Sequence, residues 1–183
     1  EALEISPLHG GIADTSRKRR IECDTVLLSV GLIPENELSR NAGVELNPNT
    51  GGPLVDHLLQ TSVPGIFACG NVLHVHDLVD FVSEEAARCA AGVRAYLDGE
   101  DASGQSVPVE AGANLKYVVP GSAVRGREAT LLMRPLIVAP KATLTVCRGE
   151  QAILEKTLRH VKPAEMISVN IAQEKMDGLQ VGE

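Results

Sequence analysis

The segment "TSVPGIFACGNVLHVHD", residues 61–77, decides how this chain is read. A short apolar run, Ile66-Phe67-Ala68, ends in the small-residue turn Cys69-Gly70-Asn71, and a histidine-rich, acid-tipped stretch follows at once. A glycine closing a strand lets a ligand approach the backbone, because no Cβ stands in the way. A helix N-terminus just downstream adds unpaired N–H groups and a partial positive charge. Together they suit an electron-rich oxygen or a phosphate, and Asn71 between them can hydrogen-bond a hydroxyl. On the residues alone, the same turn also serves as plain strand-to-helix punctuation.

The flanking sequence reads as alternating strands and helices. Residues 1–22 predict a strand, a glycine turn and a polar loop, with the basic run "SRKRR" at 16–20 capping an exposed hairpin. "RIECDTVLLSVG" predicts a second strand, whose run Val26, Leu27, Leu28 and Val30 suits cover on both faces. "LIPENELSRNAG" predicts a short helix at about 35–42, entered at Pro34 and ended at the C-cap glycine Gly43. Asn47 to Gly52 is dense turn chemistry between two short strands, and "GIFACG" at 65–70 is a further buried strand. Downstream, "DLVDFVSEEAARCAAGVRAYL" predicts a long helix with Val82, Ala86, Ala90, Val93 and Leu97 on one face. Its five alanines and Gly92 suit close approach to a sheet, Asp77 and Asp80 are N-cap candidates, and Glu84 and Glu85 lie early enough to suit the helix dipole.

After "DGEDASGQSVP", read as a linker at 101–108, the pattern changes. "NLKYVVPG", "EATLLMRPLIV", "ATLTVCRG", "AILEKTLRHV" and "MISVNIAQ" are short β-rich runs between Gly, Pro and charged turns. "TLTV" and "SVNI" alternate apolar with polar residues, as half-exposed antiparallel strands do. The expected architecture is α/β to about residue 100, then a small all-β, sandwich-like part at 109–183.

Composition narrows the function classes. The 183 residues are 44% hydrophobic, with two Tyr, two Phe and no Trp, so the core is built from aliphatic side chains and alanine. A net charge of −7 argues against nucleic acid as a partner, since phosphate binding needs clustered cations. Cys23, Cys69, Cys89 and Cys147 are far apart with no C-x-x-C, which excludes a metal knuckle or dithiol centre and fits reduced thiols in a cytoplasmic protein. No apolar run reaches the roughly 20 residues that span a bilayer.

"CDTVLLSVGLIPENEL" followed by "TSVPGIFACGNV" and an alanine-rich helix resembles the C-terminal portion of the pyridine nucleotide-disulfide oxidoreductase superfamily, over roughly residues 1–100. Thr61 to Asn71 fit its second FAD fingerprint, T-x-x-P-G-[IV]-[FY]-A-x-G-[DN], position by position. Val30, Gly31, Pro34 and Leu38 match the return from the NAD(P) domain to the FAD domain. The resemblance implies a remnant of the NAD(P)-binding domain at 1–22, the end of an FAD-binding domain at 23–100, and FAD with NAD(P)H as cofactors. It implies Gly31, Pro34, Gly70 and Asn71 as FAD-contacting residues, Asn71 at the place where the family's acidic residue hydrogen-bonds the ribityl chain. The next helix would point its N-terminus, Val79, Asp80, Phe81 and Val82, at the flavin pyrimidine oxygen.

Departures from the pattern carry equal weight. Asn71 replaces the usual Asp and loses its charge, and neither G-x-G-x-x-G nor the redox C-x-x-C occurs. The chain therefore reads as the C-terminal part of a longer NAD(P)H-linked flavoprotein, inactive alone and partnered by the N-terminal remainder. Its tail resembles the β-sandwich of flavoprotein subunits associated with glycerol-3-phosphate or amine dehydrogenase systems, which implies a dehydrogenase partner subunit or a small electron acceptor. The alternative is a non-catalytic docking module that inherits the fold.

His74 and His76 form H-x-H and could share a metal from one strand face, but no third ligand is visible in the sequence, and no metal is assigned. With a flavin in place they are the proton-transfer candidates. Cys69 reads as a small buried residue, Glu84 and Glu85 as first-turn helix residues, and Phe81 as core.

Overall fold

The computed structural model describes residues 1–177 except Gly11, Val30 and residues 100–104. It divides into two compact units, Glu1–Leu32 and the chain from Ile33 onward.

In the first unit, β1 (Ala2–Ile5) pairs antiparallel with β4 (Arg19–Glu22), and β2 (Leu8–His9) with β3 (Ile12–Ala13). These strands are exposed throughout, and the basic run lies on β4 and the 3₁₀ turn before it, as expected of an exposed hairpin. Of the strand expected over "RIECDTVLLSVG", Arg20–Glu22 form within β4, and Val26–Ser29 form no strand. Leu27 and Leu28 are 93% and 79% exposed, and Val30 lies outside the described residues. A strand meant to be covered on both faces needs ladder partners, and none pairs with it among the described residues.

The second unit opens with α1 (Glu37–Asn41), where a short helix was expected, and Gly43 follows it at φ 76°, the left-handed geometry of a C-cap glycine. Pro34 precedes the N-cap residue, Asn36. From residue 44 to 68 isolated bridges replace the three expected short strands: Leu46 with Pro53, Val55 with Thr61, and Gln60 with Phe67. Single bridges suffice because side chains close the turns: Asp56 Oδ1 accepts from the N–H groups of Leu58 and Gln60 at 2.9 Å.

The long helix α2 (Val79–Leu97) is present, but its buried stripe is Glu85, Cys89 and Gly92. Ala86, Ala90 and Leu97 are exposed, and Val82 and Val93 half-buried, so the expected face is displaced. A carboxylate with partners and a glycine against backbone both face inward, and apolar periodicity registers neither. Gly92 meets the loop backbone of Leu58 and not a sheet; a Cβ there would lie 2.1 Å from Leu58 O. Neither Asp77 nor Asp80 caps the helix. The N-cap residue is Leu78, without a side-chain cap, because Asp77 is committed to the β-rich tail.

That tail carries β5 (Ser106–Pro108), β6 (Leu115–Val119), β7 (Ser122–Val124), β8 (Ala129–Pro135), β9 (Ala139–Arg148), β10 (Gln151–Val161) and β11 (Ile167–Ile171), then α3 (Gln173–Asp177). All pairings are antiparallel: a sheet in the order β11-β8-β6, the hairpin β9–β10, and β5 with β7. The linker reading at 101–108 is thus corrected for Ser106–Pro108, which find strand partners in β7; residues 101–104 lie outside the described set. Val118, Leu131, Met133, Val169 and Ile171 form one core, with Leu144, Val146, Ile153 and Leu154 of the hairpin packed against it. The next residues along β6 point the other way: Tyr117 and Val119 join Val55, Leu59, Ala68, Leu73 and Cys89 in a second core. The change expected near residue 100 is therefore a change of composition, and packing runs across it.

Arg134 on β8 pins the two cores together. It donates to Asp77 Oδ1 at 2.7 Å and to Val75 O at 2.7 Å, while Asp77 Oδ2 accepts from Met166 N–H at 2.6 Å. Replacing Arg134 by Ala leaves half-buried acceptors without donors, and urea unfolding should show a loss of about 2–3 kcal/mol. A change within about 0.5 kcal/mol would mean the pin contributes nothing.

Candidate functional site

Gly70 lies at φ 68°, a conformation that side chains rarely adopt, and a Cβ there would press on Val82 Cγ1 at 3.3 Å. The fingerprint turn thus needs glycine both for its conformation and for its contact with α2. A single 3₁₀ turn, Gly70–Val72, follows, and its carbonyl at Gly70 accepts from the N–H groups of Leu73 and His74. Asn36 braces this turn from behind: its Nδ2 donates to Val72 O at 2.8 Å and to Gly51 O at 2.9 Å. Asn36 is 1% exposed and was not singled out in the sequence, where it occupied a variable place in the Pro34 motif.

At the centre is Glu85. It is fully buried, and its carboxylate receives three donors: His74 Nε2 at 2.8 Å on Oε1, and His76 Nε2 at 2.9 Å and Gly70 N–H at 2.6 Å on Oε2. Arg88 Nη2 lies 3.6 Å from Oε1. Burial alone would raise the Glu85 pKa, but the hydrogen bonds from His74 and His76, the charge interaction with His74 and the Gly70 amide hold it at about 2. An ionised carboxylate only accepts, so both Nε2 atoms carry protons. Both Nδ1 atoms are buried without a partner among the described residues. His74 also meets the Tyr117 ring edge-on, with centroids 5.7 Å apart.

The third ligand-type residue that the sequence did not reveal is therefore Glu85, and His74, His76 and Glu85 form a buried group of metal-ligand chemistry. The separations of 2.8 and 2.9 Å are those of charge-assisted hydrogen bonds; ligands at about 2.0–2.1 Å around tetrahedral zinc stand about 3.3 Å apart. We read the group as a hydrogen-bonded cluster.

The remaining candidates divide by exposure. Asn71 is exposed, and its Oδ1 accepts from His76 N–H at 3.1 Å. Val79 is 75% and Phe81 38% exposed, so Phe81 is not the core residue expected; with Leu78 at 57% they form an apolar rim where α2 begins. Asp80 is exposed and Val82 half-buried. Pro34 is half-buried, whereas Gly31 is exposed and belongs to the first unit. The structure therefore gathers Gly70, Asn71, His74 and His76 with the start of α2. Cys69 is half-buried, and burial, with the Cys69 thiol beside it, pushes the Cys89 thiol up to about 12, which leaves it inert. A cleft of about 910 Å³ lies elsewhere, between the β-rich layers, and none of these residues lines it.

The sequence model of the family described as pyridine nucleotide-disulphide oxidoreductase matches residues 5–94. The chain is similar to the nitric oxide reductase FlRd-NAD(+) reductase of Escherichia coli O127:H6, 41% identical over 70 residues, 38% of this chain and 18% of the relative. That of Salmonella agona is 39% identical over 77 residues, 42% of this chain and 20% of the relative. The mitochondrial dihydrolipoyl dehydrogenase of Caenorhabditis elegans is 35% identical over 82 residues, 44% of this chain and 17% of the relative. The chain thus spans about a fifth of these relatives' length. No solved structure matches it. Among the described residues, no helix is long and apolar enough to cross a membrane.

Proposed function

We propose that this chain, whose residues 5–94 match the pyridine nucleotide-disulphide oxidoreductase family model, is the FAD-contacting, C-terminal part of an NAD(P)H-linked flavoprotein oxidoreductase. The observation that carries this reading is the fingerprint turn itself. Gly70, buried against α2 at a positive φ, turns the chain so that Asn71 stands exposed beside it, and α2 begins without a side-chain cap.

These residues fit the cofactor. Asn71 would hold a ribityl oxygen, and the first N–H groups of α2, at Val79, Asp80 and Phe81, would face the pyrimidine edge, where the helix dipole favours negative charge. The exposed Leu78, Val79 and Phe81 suit an apolar ring. Bound FAD would supply hydride acceptance from NAD(P)H and electron transfer onward. His74 and His76 are sealed behind the turn with their Nε2 protons committed to Glu85, so their role is support of the site in place of proton transfer. Gly31 and Pro34 would carry the chain back into the FAD domain, with residues 1–22 as the end of an NAD(P) domain and the β-rich tail as the docking face for a dehydrogenase partner.

The test is an anaerobic absorption spectrum of the longer protein before and after NADH. The expected result is flavin bands that bleach on reduction. A colourless protein that FAD cannot reconstitute would overturn the reading.

A further inference from the structure

We infer that Glu85 is a positioning residue for Asn71, and that the network fixes Asn71 so that it offers an N–H donor to its ligand. This inference rests on the reading above that a flavin lies against the turn.

Two arms run from the one buried carboxylate to the one exposed amide. The first is short: Glu85 Oε2 accepts from Gly70 N–H at 2.6 Å and so holds the backbone immediately before Asn71. The second passes through His76, whose Nε2 binds Glu85 Oε2 and whose own backbone N–H donates to Asn71 Oδ1 at 3.1 Å. His74 steadies the other carboxylate oxygen. The carboxylate thus grips the residue before Asn71 and the residue that orients its side chain.

The orientation follows from chemistry. A backbone N–H can only donate, so the Asn71 oxygen must turn toward His76, and the Nδ2 amino group is left facing outward. The ligand oxygen at this position therefore acts as an acceptor. An aspartate would satisfy His76 equally well and offer outward a second acceptor with negative charge. This gives the departure from the fingerprint's usual acid a physical meaning, and it makes Asn71 a polarity selector set by a helix residue fourteen positions away.

The network is tested without cofactor and then with it. In 1H–15N spectra of the 183-residue chain, the Gly70 amide should resonate far downfield and move upfield in Glu85→Gln, while Asn71→Ala should speed His76 amide exchange about tenfold. Glu85→Gln keeps a neutral acceptor and guards against a variant that fails to fold; Asn71 is exposed and lies outside both packed cores. If Gly70 and His76 amides are unmoved, the network is overturned whether or not flavin binds. In the longer protein, FAD titration by fluorescence quenching should show Asn71→Asp binding about tenfold more weakly, with the His76 amide still protected. Glu85→Ala should also lose about tenfold, and Glu85→Gln should recover most of it. Equal or tighter FAD binding by Asn71→Asp overturns the donor assignment. A wild-type protein that binds no FAD fails the functional reading instead, and stoichiometric metal in the purified chain would replace the hydrogen-bonded network with a ligand set.

Discussion

Gly92→Ala should destabilise the protein by about 3 kcal/mol, although glycine to alanine inside a helix ordinarily stabilises by about 1 kcal/mol. The reversal of sign is the informative part. A Cβ at Gly92 would stand 2.1 Å from Leu58 O, 3.0 Å from its carbonyl carbon and 3.2 Å from its Cβ. Two of these atoms are backbone, in a loop tied by Asp56, so no rotamer change relieves the overlap. Either α2 lifts from the loop or the loop opens, and both routes disturb the core of Val55, Leu59, Leu73 and Cys89. Urea unfolding at pH 7 measures it. A variant as stable as the parent would mean that helix and loop are not in contact.

Glu85→Ala should cost about 3–5 kcal/mol at neutral pH, because it strands two buried imidazoles and the Gly70 amide in place of one satisfied cluster. Glu85→Gln is milder, about 1–2 kcal/mol: its amide oxygen keeps Gly70 and His76, while His74 must move its proton to a buried Nδ1 that has no partner among the described residues. Acid provides an independent check. The Glu85 pKa falls from 4.5 to about 2 on folding, so its contribution is present above about pH 4.5 and is lost as pH falls toward 2. The loss amounts to about 3 kcal/mol. Stability measured from pH 5 to pH 2 should therefore fall more steeply in the parent than in Glu85→Gln, and parallel curves would contradict the ionised cluster.

What the sequence disclosed depended on how local each cause was. The small-residue turn at Gly70–Asn71 was legible because strand punctuation is a local need, but its glycine is buried against α2 and not open as expected, because its contact with Val82 and Glu85 is non-local. The tail strands β6 and β8 to β11 were legible because alternation records a half-buried sheet, and their pairing supplies it within the chain. Within the same expected strand, Arg20–Glu22 formed and Val26–Ser29 did not, because a strand exists only with partners, and hydrophobicity does not say where they are. Glu85 was hidden for a different reason. It lies eleven and nine residues from its histidine partners and fifteen from Gly70, and an acid early in a helix already had a sufficient local explanation. A signal was present: small Cys89 and Gly92 share its face at i, i+4, i+7, and two histidines just upstream lacked a partner. A stripe of small residues containing one carboxylate marks that carboxylate as buried.

The same logic explains the exposure around the turn. Glu85, His74 and His76 bury their polar atoms against one another, while Leu78, Val79 and Phe81 remain uncovered a few residues away. A chain that satisfies its charges inside and leaves an apolar rim outside at the start of a helix presents a surface suited to a flat, partly polar ring. Amide hydrogen exchange of the longer protein proposed above, without and with saturating FAD, tests whether a flavin covers that rim. Added protection at Asn71 and residues 79–82 is the expected result when FAD binds. Protection elsewhere with those amides unchanged would contradict it.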